Sequence, residues 1–314
     1  MSPTNTASYD VIIIGAGPAG LSAALGLARH LWRVSVIDSG SYRNDVATHM
    51  HNVAGWDHVP PSEFRAATRK QILGRYNTVE FADGAEVTGV EKLEEKGFEA
   101  IAEDGRRFRG RKLVLATGFR DVMPDLPGYE QSWGSEIFHC LFCHGYEESG
   151  ADSAGVLAMD MLASVQNATM VCRFAARLAK RVTVYTNGNK ELAETLEGSF
   201  GTQTVSIDAR KFAHLEKAKS RPGIVLHFDD GTEKEERFLA HAPKTTLRGP
   251  FVKAFTLEKS DQGDLKVLAP FNKTSVQGVF AAGDCSTFMK SVAQAMLHGS
   301  LVAAGVSAEL GTET

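Results

Sequence analysis

Read for hydrophobic and polar positions alone, the chain runs through the same succession in two places. An apolar run is followed by a helical stretch and then a second apolar run, although no internal sequence repeat accompanies the pattern. The first instance opens on Val11 to Ile14, a β-branched run that suits a strand buried on both faces of a parallel sheet. Leu21, Ala24, Leu25 and Ala28 then recur at helical spacing, and Val34 to Ile37 predicts a second strand ending in Asp38. The second instance predicts a strand over Gly155 to Ala158, a helix from about Gln166 to Ala179 and a strand over Val182 to Thr186. Late in the chain, Val279 to Ala282 reads as a short strand running into Gly283-Asp284, and "SVAQAMLHGSLVAAGVSAEL" reads as a helix. The charged stretches Glu91–Lys96 and Asp229–Arg237 read as hairpin turns or solvated edges.

The junction between the first strand and the first helix carries chemistry. Gly15-Ala16-Gly17-Pro18-Ala19-Gly20 matches G-x-G-x-x-G. In that motif one glycine makes the tight turn, one lets backbone approach a pyrophosphate, and one lets helix and strand pack closely; the helix N-terminus faces the phosphates. Asp38, at the end of the second strand, is placed to accept a hydrogen bond from a ribose hydroxyl. Strand, turn, helix, strand and acid stand at the intervals a dinucleotide site requires. The motif alone does not separate FAD from NAD.

Composition narrows the classes. With 314 residues and a hydrophobic fraction of 43%, the chain has room for about two domains of ~150 residues. The net charge is -4 and no basic tract occurs, which leaves no electrostatic footprint for nucleic acid. The first ten residues, MSPTNTASYD, are polar and lack a basic segment, and no later run approaches the ~20 apolar residues of a spanning helix; we expect a cytoplasmic protein without a membrane partner. The four cysteines are Cys140, Cys143, Cys172 and Cys285. In a reducing compartment the close pair in "HCLFCHGYEE" suits catalysis or metal binding better than a permanent staple.

The segment "SVQGVFAAGDCST" resembles the second FAD signature of thioredoxin-reductase-like flavoproteins, and "LVLATG", Leu113 to Gly118, resembles the family's A-T-G turn. This resemblance implies an α/β fold of two Rossmann-like, three-layer domains. The FAD domain would be discontinuous, 1–118 and 245–314, with an inserted NADPH-type domain at 119–244. It implies FAD contacts at Gly15, Gly17, Pro18, Ala19, Gly20, Asp38, Ser39, Arg43, Asn44, His51, Asn52, Ala116, Thr117, Gly118, Gly283, Asp284, Gln294 and Ala295. Asp284 would meet the ribityl chain, and Ala295 would offer its backbone N–H to the pyrimidine end of the ring. His49 shares with His51 an expectation of flavin or substrate contact. Cys285, beside the cofactor turn, and Cys172, in the helical stretch, are expected to be core.

That context gives the cysteine pair its meaning. Zinc needs four ligands, and His139 and His144 stand too close to the pair to coordinate easily alongside it, so no metal site is expected; the loose spacing of His49, His51 and His58 gives none either. By the resemblance, Cys143 is the flavin-proximal thiol, Cys140 exchanges with substrate, and a nearby helix N-terminus or basic group should favour the thiolate. The family places Asp after the second cysteine; here His144 stands there, a side chain suited to shuttling a thiol proton near neutral pH.

The inserted domain departs further. "AMDMLASVQNA" has no glycine where pyrophosphate needs bare backbone, and Thr186-Asn187-Gly188-Asn189 is followed by a single Lys190 rather than an arginine pair. Both features predict a degenerate nicotinamide site. Together with "DSGSYRN", "HMHNVAGWDH", "RKLVLATGFRD", "CLFCHGYEE" and "VYTNGN", they give the chain a close resemblance to the fungal gliotoxin-type dithiol oxidases, and it is similar to bacterial enzymes that close the disulfides of holomycin and romidepsin. The resemblance implies a homodimer using FAD and dioxygen to oxidise a small cyclic dithiol, releasing hydrogen peroxide. An NADPH-dependent disulfide reductase and a catalytically silent redox-sensing flavoprotein are the competing readings.

Overall fold

The computed structural model describes residues 8–94, 96–200, 205–220 and 222–313. The polar start of the chain, on which the expectation about targeting rests, lies outside the described residues up to residue 7, as does residue 95 of the expected turn at 91–96. The chain divides into two compact units. The first comprises residues 1–49, 53–120 and 246–314, and the second residues 50–52 and 121–245.

In the first unit the apolar run becomes the central strand Ser8–Ile14, parallel to Val34–Asp38 on one side and to Arg107–Leu115 on the other. Val79–Asp83 extends the sheet beyond Val34–Asp38. The long strand Arg107–Leu115 carries the same sheet further in two directions. Its first half pairs antiparallel with Phe98–Ala102, which pairs with Val87–Lys92; its second half pairs parallel with Val279–Ala281. Alternate residues of the central strand enter different cores. Val11 and Ile13 pack with Leu21, Ala24, Val302 and Val306 of two helices, and Ile12 and Ile14 pack with Leu113, Phe98 and Phe251 on the opposite face. This period of two explains why the run is apolar at every position, and each such side chain contributes about 1.5–3 kcal/mol of transfer free energy.

The helices Pro18–Ala28 and Val292–Gly311 cross closely because small residues meet. A Cβ at Gly299 would fall 2.2 Å from Ala19 O, and one at Gly26 would fall 2.6 Å from the Ala303 Cβ. The far end of the long helix is tied to the sheet by Lys112, whose buried Nζ meets Glu309 at 2.8 Å and Glu313 at 2.7 Å.

The second unit repeats this plan on its own sequence. Ala154–Leu157 is the central strand, parallel to Val182–Tyr185 and to Leu239–Ala240; Val205–Asp208 and Ile137–Phe138 complete a five-stranded sheet. Phe212–Lys217, Ile224–Phe228 and Glu233–Glu236 form an antiparallel meander, so the charged stretch after Phe228 is the expected hairpin turn. The two faces again separate by parity: Val156 and Val184 enter one core, Leu157 and Tyr185 the other. The helix spans Val165–Ala175, shorter than its apolar pattern, because Arg177 and Leu178 turn back onto Phe174 O and Ala175 O. Each unit thus has the Rossmann-like plan that the sequence led us to expect. Among the described residues no helix is long and apolar enough to cross a membrane.

The helix crossing gives a first prediction. Gly299→Ala forces a Cβ into backbone and should destabilise the protein by about 1–3 kcal/mol, read as a lowered denaturant midpoint. An unchanged midpoint would show that the two helices separate without cost.

Candidate functional site

Three turns of the first unit follow the C-terminal ends of neighbouring parallel strands. Residues 15–17 follow Ser8–Ile14, residues 116–118 follow Arg107–Leu115, and residues 282–284 follow Val279–Ala281. The chain leaves the central strand to opposite sides here, which is where open α/β sheets bind ligands. The glycines divide by what demands them. Gly15 has φ +104°, and its Cβ would fall 2.4 Å from Ala116 O. A Cβ at Gly20 would fall 1.9 Å from Gly15 O, and Gly283, at φ +80°, faces Ala19 at 2.8 Å. The chain itself requires those three. Gly17 differs: a Cβ there meets nothing within 4 Å. Gly17 also leads into the helix Pro18–Ala28 without a side-chain cap, so the first helical N–H groups have no side-chain partner. Open space before uncapped amides fits a pyrophosphate, and the residues expected there suit a dinucleotide.

The other expected contacts take definite places. Arg43 Nη1 lies 3.5 Å from Asp284 Oδ2, a cation beside the acid assigned to the ribityl chain. Asn44 Oδ1 accepts from Arg65 Nη1 at 3.1 Å, Ser39 is exposed and its Oγ accepts from Ser41 N, Thr117 and Gly118 are half-buried, and Ala116 N donates to Ile14 O. Asp38 is buried and already used by the protein: Oδ1 accepts from Ala16 N at 3.1 Å, and Oδ2 accepts from the Tyr42 hydroxyl. A ribose hydroxyl would therefore share Asp38 with Tyr42, a partner that no motif reveals. The Ala295 N–H, assigned to the pyrimidine end of the ring, donates to Ser291 O at 2.9 Å as an early bond of its helix. Gln294 Nε2 lies 2.8 Å from His298 Nε2. His49 stacks on His58 with centroids 4.4 Å apart.

The corresponding turn of the second unit is filled. Between Ala154–Leu157 and Val165–Ala175 the chain makes a short 3-10 turn, Asp160–Leu162, with Asp160 at φ +48°. Ser164 caps the helix with its own Oγ, accepting from Asn167 N at 3.2 Å, while Asn167 Nδ2 donates to Met161 O at 2.8 Å. The Asp160 carboxylate lies 3.7 Å from Nε2 of buried His241 and 3.8 Å from Lys244 Nζ. His241 also meets the Tyr129 hydroxyl at 2.6 Å, and burial pulls its imidazole down to about 4. The next helix, Lys190–Leu196, is capped in the same way by Asn189. The second unit thus repeats the strand–turn–helix plan with a turn capped by its own side chains.

Cys140 and Cys143 are joined as a disulfide with Cα atoms 5.2 Å apart. They lie on a single turn in which the Cys143 and His144 N–H groups both donate to Cys140 O, and the turn is followed by a short 3-10 turn, Tyr146–Glu148, rather than by an α-helix. Phe142, between them, is exposed and packs edge-on against Phe174. Residues 50–52 group with this unit. Asn52, at φ +62°, donates Nδ2 to Phe142 O at 2.7 Å and so braces the dithiol turn. His51 Nε2 lies 3.3 Å from Glu147 Oε1. His144 stacks flat on Phe138 and meets the His51 ring edge-on, with centroids 6.3 Å apart. Its Nε2 is buried with no partner among the described residues. Burial, reinforced by His51 and opposed by Glu147, holds the His144 imidazole below its usual range and therefore neutral at neutral pH. His139 lies against Trp133. Glu147 is the residue that sequence reading missed; its signal is the acid three positions after His144 on the same turn.

Neither remaining cysteine is a nucleophile. Burial pushes the Cys172 thiol up to about 12 and the Cys285 thiol up to about 11, and the Cys285 Sγ is engaged by Ala282 O and Leu115 O.

Residues 9–299 match the family model for pyridine nucleotide-disulphide oxidoreductases. The chain is 48% identical to thioredoxin reductase aclD of Aspergillus oryzae over 305 residues, covering 96% of each chain. It is 43% identical to thioredoxin reductase tcpT of Claviceps purpurea over 311 residues, covering 99% of this chain and 96% of the other. Among solved structures it is similar to HlmI, with a TM-score of 0.87 at 29% identity, covering 98% of this chain and 93% of that one. An oxidoreductase from Agrobacterium tumefaciens also gives 0.87 at 29% identity, covering 98% of this chain and 100% of that one.

The glycine contrast is testable. Gly17→Val should leave the fold within about 0.5 kcal/mol of wild type, because its side chain meets open space, yet the purified protein should lose its flavin absorbance. Retention of full flavin content would remove Gly17 from the binding site.

Proposed function

The chain belongs to the thioredoxin-reductase-like pyridine nucleotide-disulphide oxidoreductases, and from that premise we propose that it is an FAD-dependent dithiol oxidase closing an intramolecular disulfide in a small cyclic dithiol. The observation that carries this reading is the difference between the two helix starts. Uncapped amides follow open Gly17 in the first unit, whereas Ser164 and Asp160 fill the turn of the second. A domain with its anion site closed is a poor receiver of NADPH, so reducing equivalents would enter through the dithiol.

The protein's part is thiol exchange. One substrate thiolate attacks Cys140 Sγ, breaking the Cys140–Cys143 bond and forming a mixed disulfide. The second substrate sulfur then attacks the first, closing the substrate disulfide and releasing Cys140. The substrate loses two electrons and two protons, and the enzyme disulfide becomes a dithiol. His144, neutral and beside the turn, accepts a thiol proton. Gly15, Gly17, Asp38, Arg43, Gly283 and Asp284 are the residues that would hold FAD. Bound FAD supplies the acceptor that reoxidises the dithiol and returns the pair to dioxygen, so that dithiol plus dioxygen gives disulfide plus hydrogen peroxide. A homodimer is part of the same reading.

Under air and without NADPH, reduced gliotoxin should be oxidised with stoichiometric peroxide, Cys143→Ser should abolish turnover, and His144→Gln should lower it by about 10²–10⁴-fold. A reductase would instead stay silent until NADPH is added and would then bleach its flavin at a useful rate; that result would sink the oxidase reading.

A further inference from the structure

His144 does not stand alone on the dithiol turn. One face of its ring is covered by Phe138, an apolar wall from the strand Ile137–Phe138 that offers no charge. The ionisable side chains acting on it are His51, edge-on at 6.3 Å, and Glu147, three residues further along the same chain. These two are paired with each other. The Glu147 carboxylate sits 3.3 Å from His51 Nε2, so it takes the Nε2–H and leaves Nδ1 as the acceptor nitrogen of His51. His51 is mostly buried, whereas the Glu147 carboxylate is 43% exposed, so the chain of groups runs from a buried imidazole to one in contact with water.

We propose that His51 and Glu147 are positioning residues that set the protonation state in which His144 meets the substrate thiol. The inference deepens the reading of His144 as the acid–base group of thiol exchange and rests on it. The two residues act with opposite signs. His51 stands edge-on to His144 and disfavours a proton there before the reaction. Glu147 fixes the His51 tautomer and offsets the charge that appears when His144 takes the proton. In the step concerned, a substrate S–H bond breaks, its proton moves to His144, the sulfur bonds to Cys140, and the electron pair of the Cys140–Cys143 bond leaves on Cys143. No other reactant is needed. A carboxylate directly after the second cysteine would need no such arrangement; an imidazole does, because its neutral form is the base.

The test measures exchange at the disulfide rather than turnover. Oxidised holoenzyme is mixed anaerobically with dithiothreitol across a pH series, and opening of Cys140–Cys143 is followed by quench and alkylation. The probe's own thiolate titration is common to all proteins and cancels in the ratio to wild type. His51→Gln should move the ascending limb to higher pH, and Glu147→Gln should move it to lower pH, each by up to about one pH unit. Glu147→Asp should restore most of the wild-type profile. NMR titration of the His144 imidazole in the same oxidised proteins should show the same opposed displacements without any exchange. Limbs that coincide with wild type, or rates scaled by one factor at every pH, would overturn the proposal. Because exchange at this disulfide occurs in an oxidase and in a reductase alike, opposed shifts with no peroxide from the earlier assay would remove the oxidase reading and leave this inference standing.

Discussion

The first unit depends on how closely its leading helix approaches the end of its central strand. Gly20 rides on the carbonyl of Gly15, Gly15 on the carbonyl of Ala116, and Gly283 on the methyl group of Ala19. Any side chain at those positions would push the helix outward and separate the three turns. The long C-terminal helix obeys the same rule through Gly299, which meets Ala19 O. One packing constraint therefore sets both the helix crossing and the concave edge at which the three turns gather.

The second unit shows what becomes of the same architecture without that constraint. Its sheet keeps the parallel order and the division of apolar residues between two faces. The link from strand to helix is longer and carries side chains at every position, and it satisfies backbone polar groups through Ser164 and Asn167. A buried polar group without a partner costs about 1–3 kcal/mol, so hydrogen bonds from the turn's own side chains help to hold it in place.

Much of this was legible in the sequence because period-two apolar runs and glycine spacing are local signals. The strand–turn–helix at residues 11–28 and the glycine-free turn near 158–164 declare themselves in consecutive residues. What the chain brings together from a distance did not. Nothing near Asp38 announces that Tyr42 will donate to it, and nothing near Cys143 announces that His51, far back in the chain, will bear on His144. The Ala295 N–H raises a different point. A motif gives residue identity, whereas the helix that begins at Ser291 decides where that proton goes. Nor does the spacing of the cysteines reveal that the turn at Cys140 closes after one set of bonds.

That arrested turn bears on electron affinity. Dithiols at a helix N-terminus are held in their reduced form by the dipole, which stabilises the thiolate and makes the pair strongly oxidising. The turn that carries Cys140 and Cys143 does not continue as an α-helix, so its own backbone adds no such dipole to the pair. Under the oxidase reading proposed above, the cysteines are a relay that electrons pass through rather than a place where they rest.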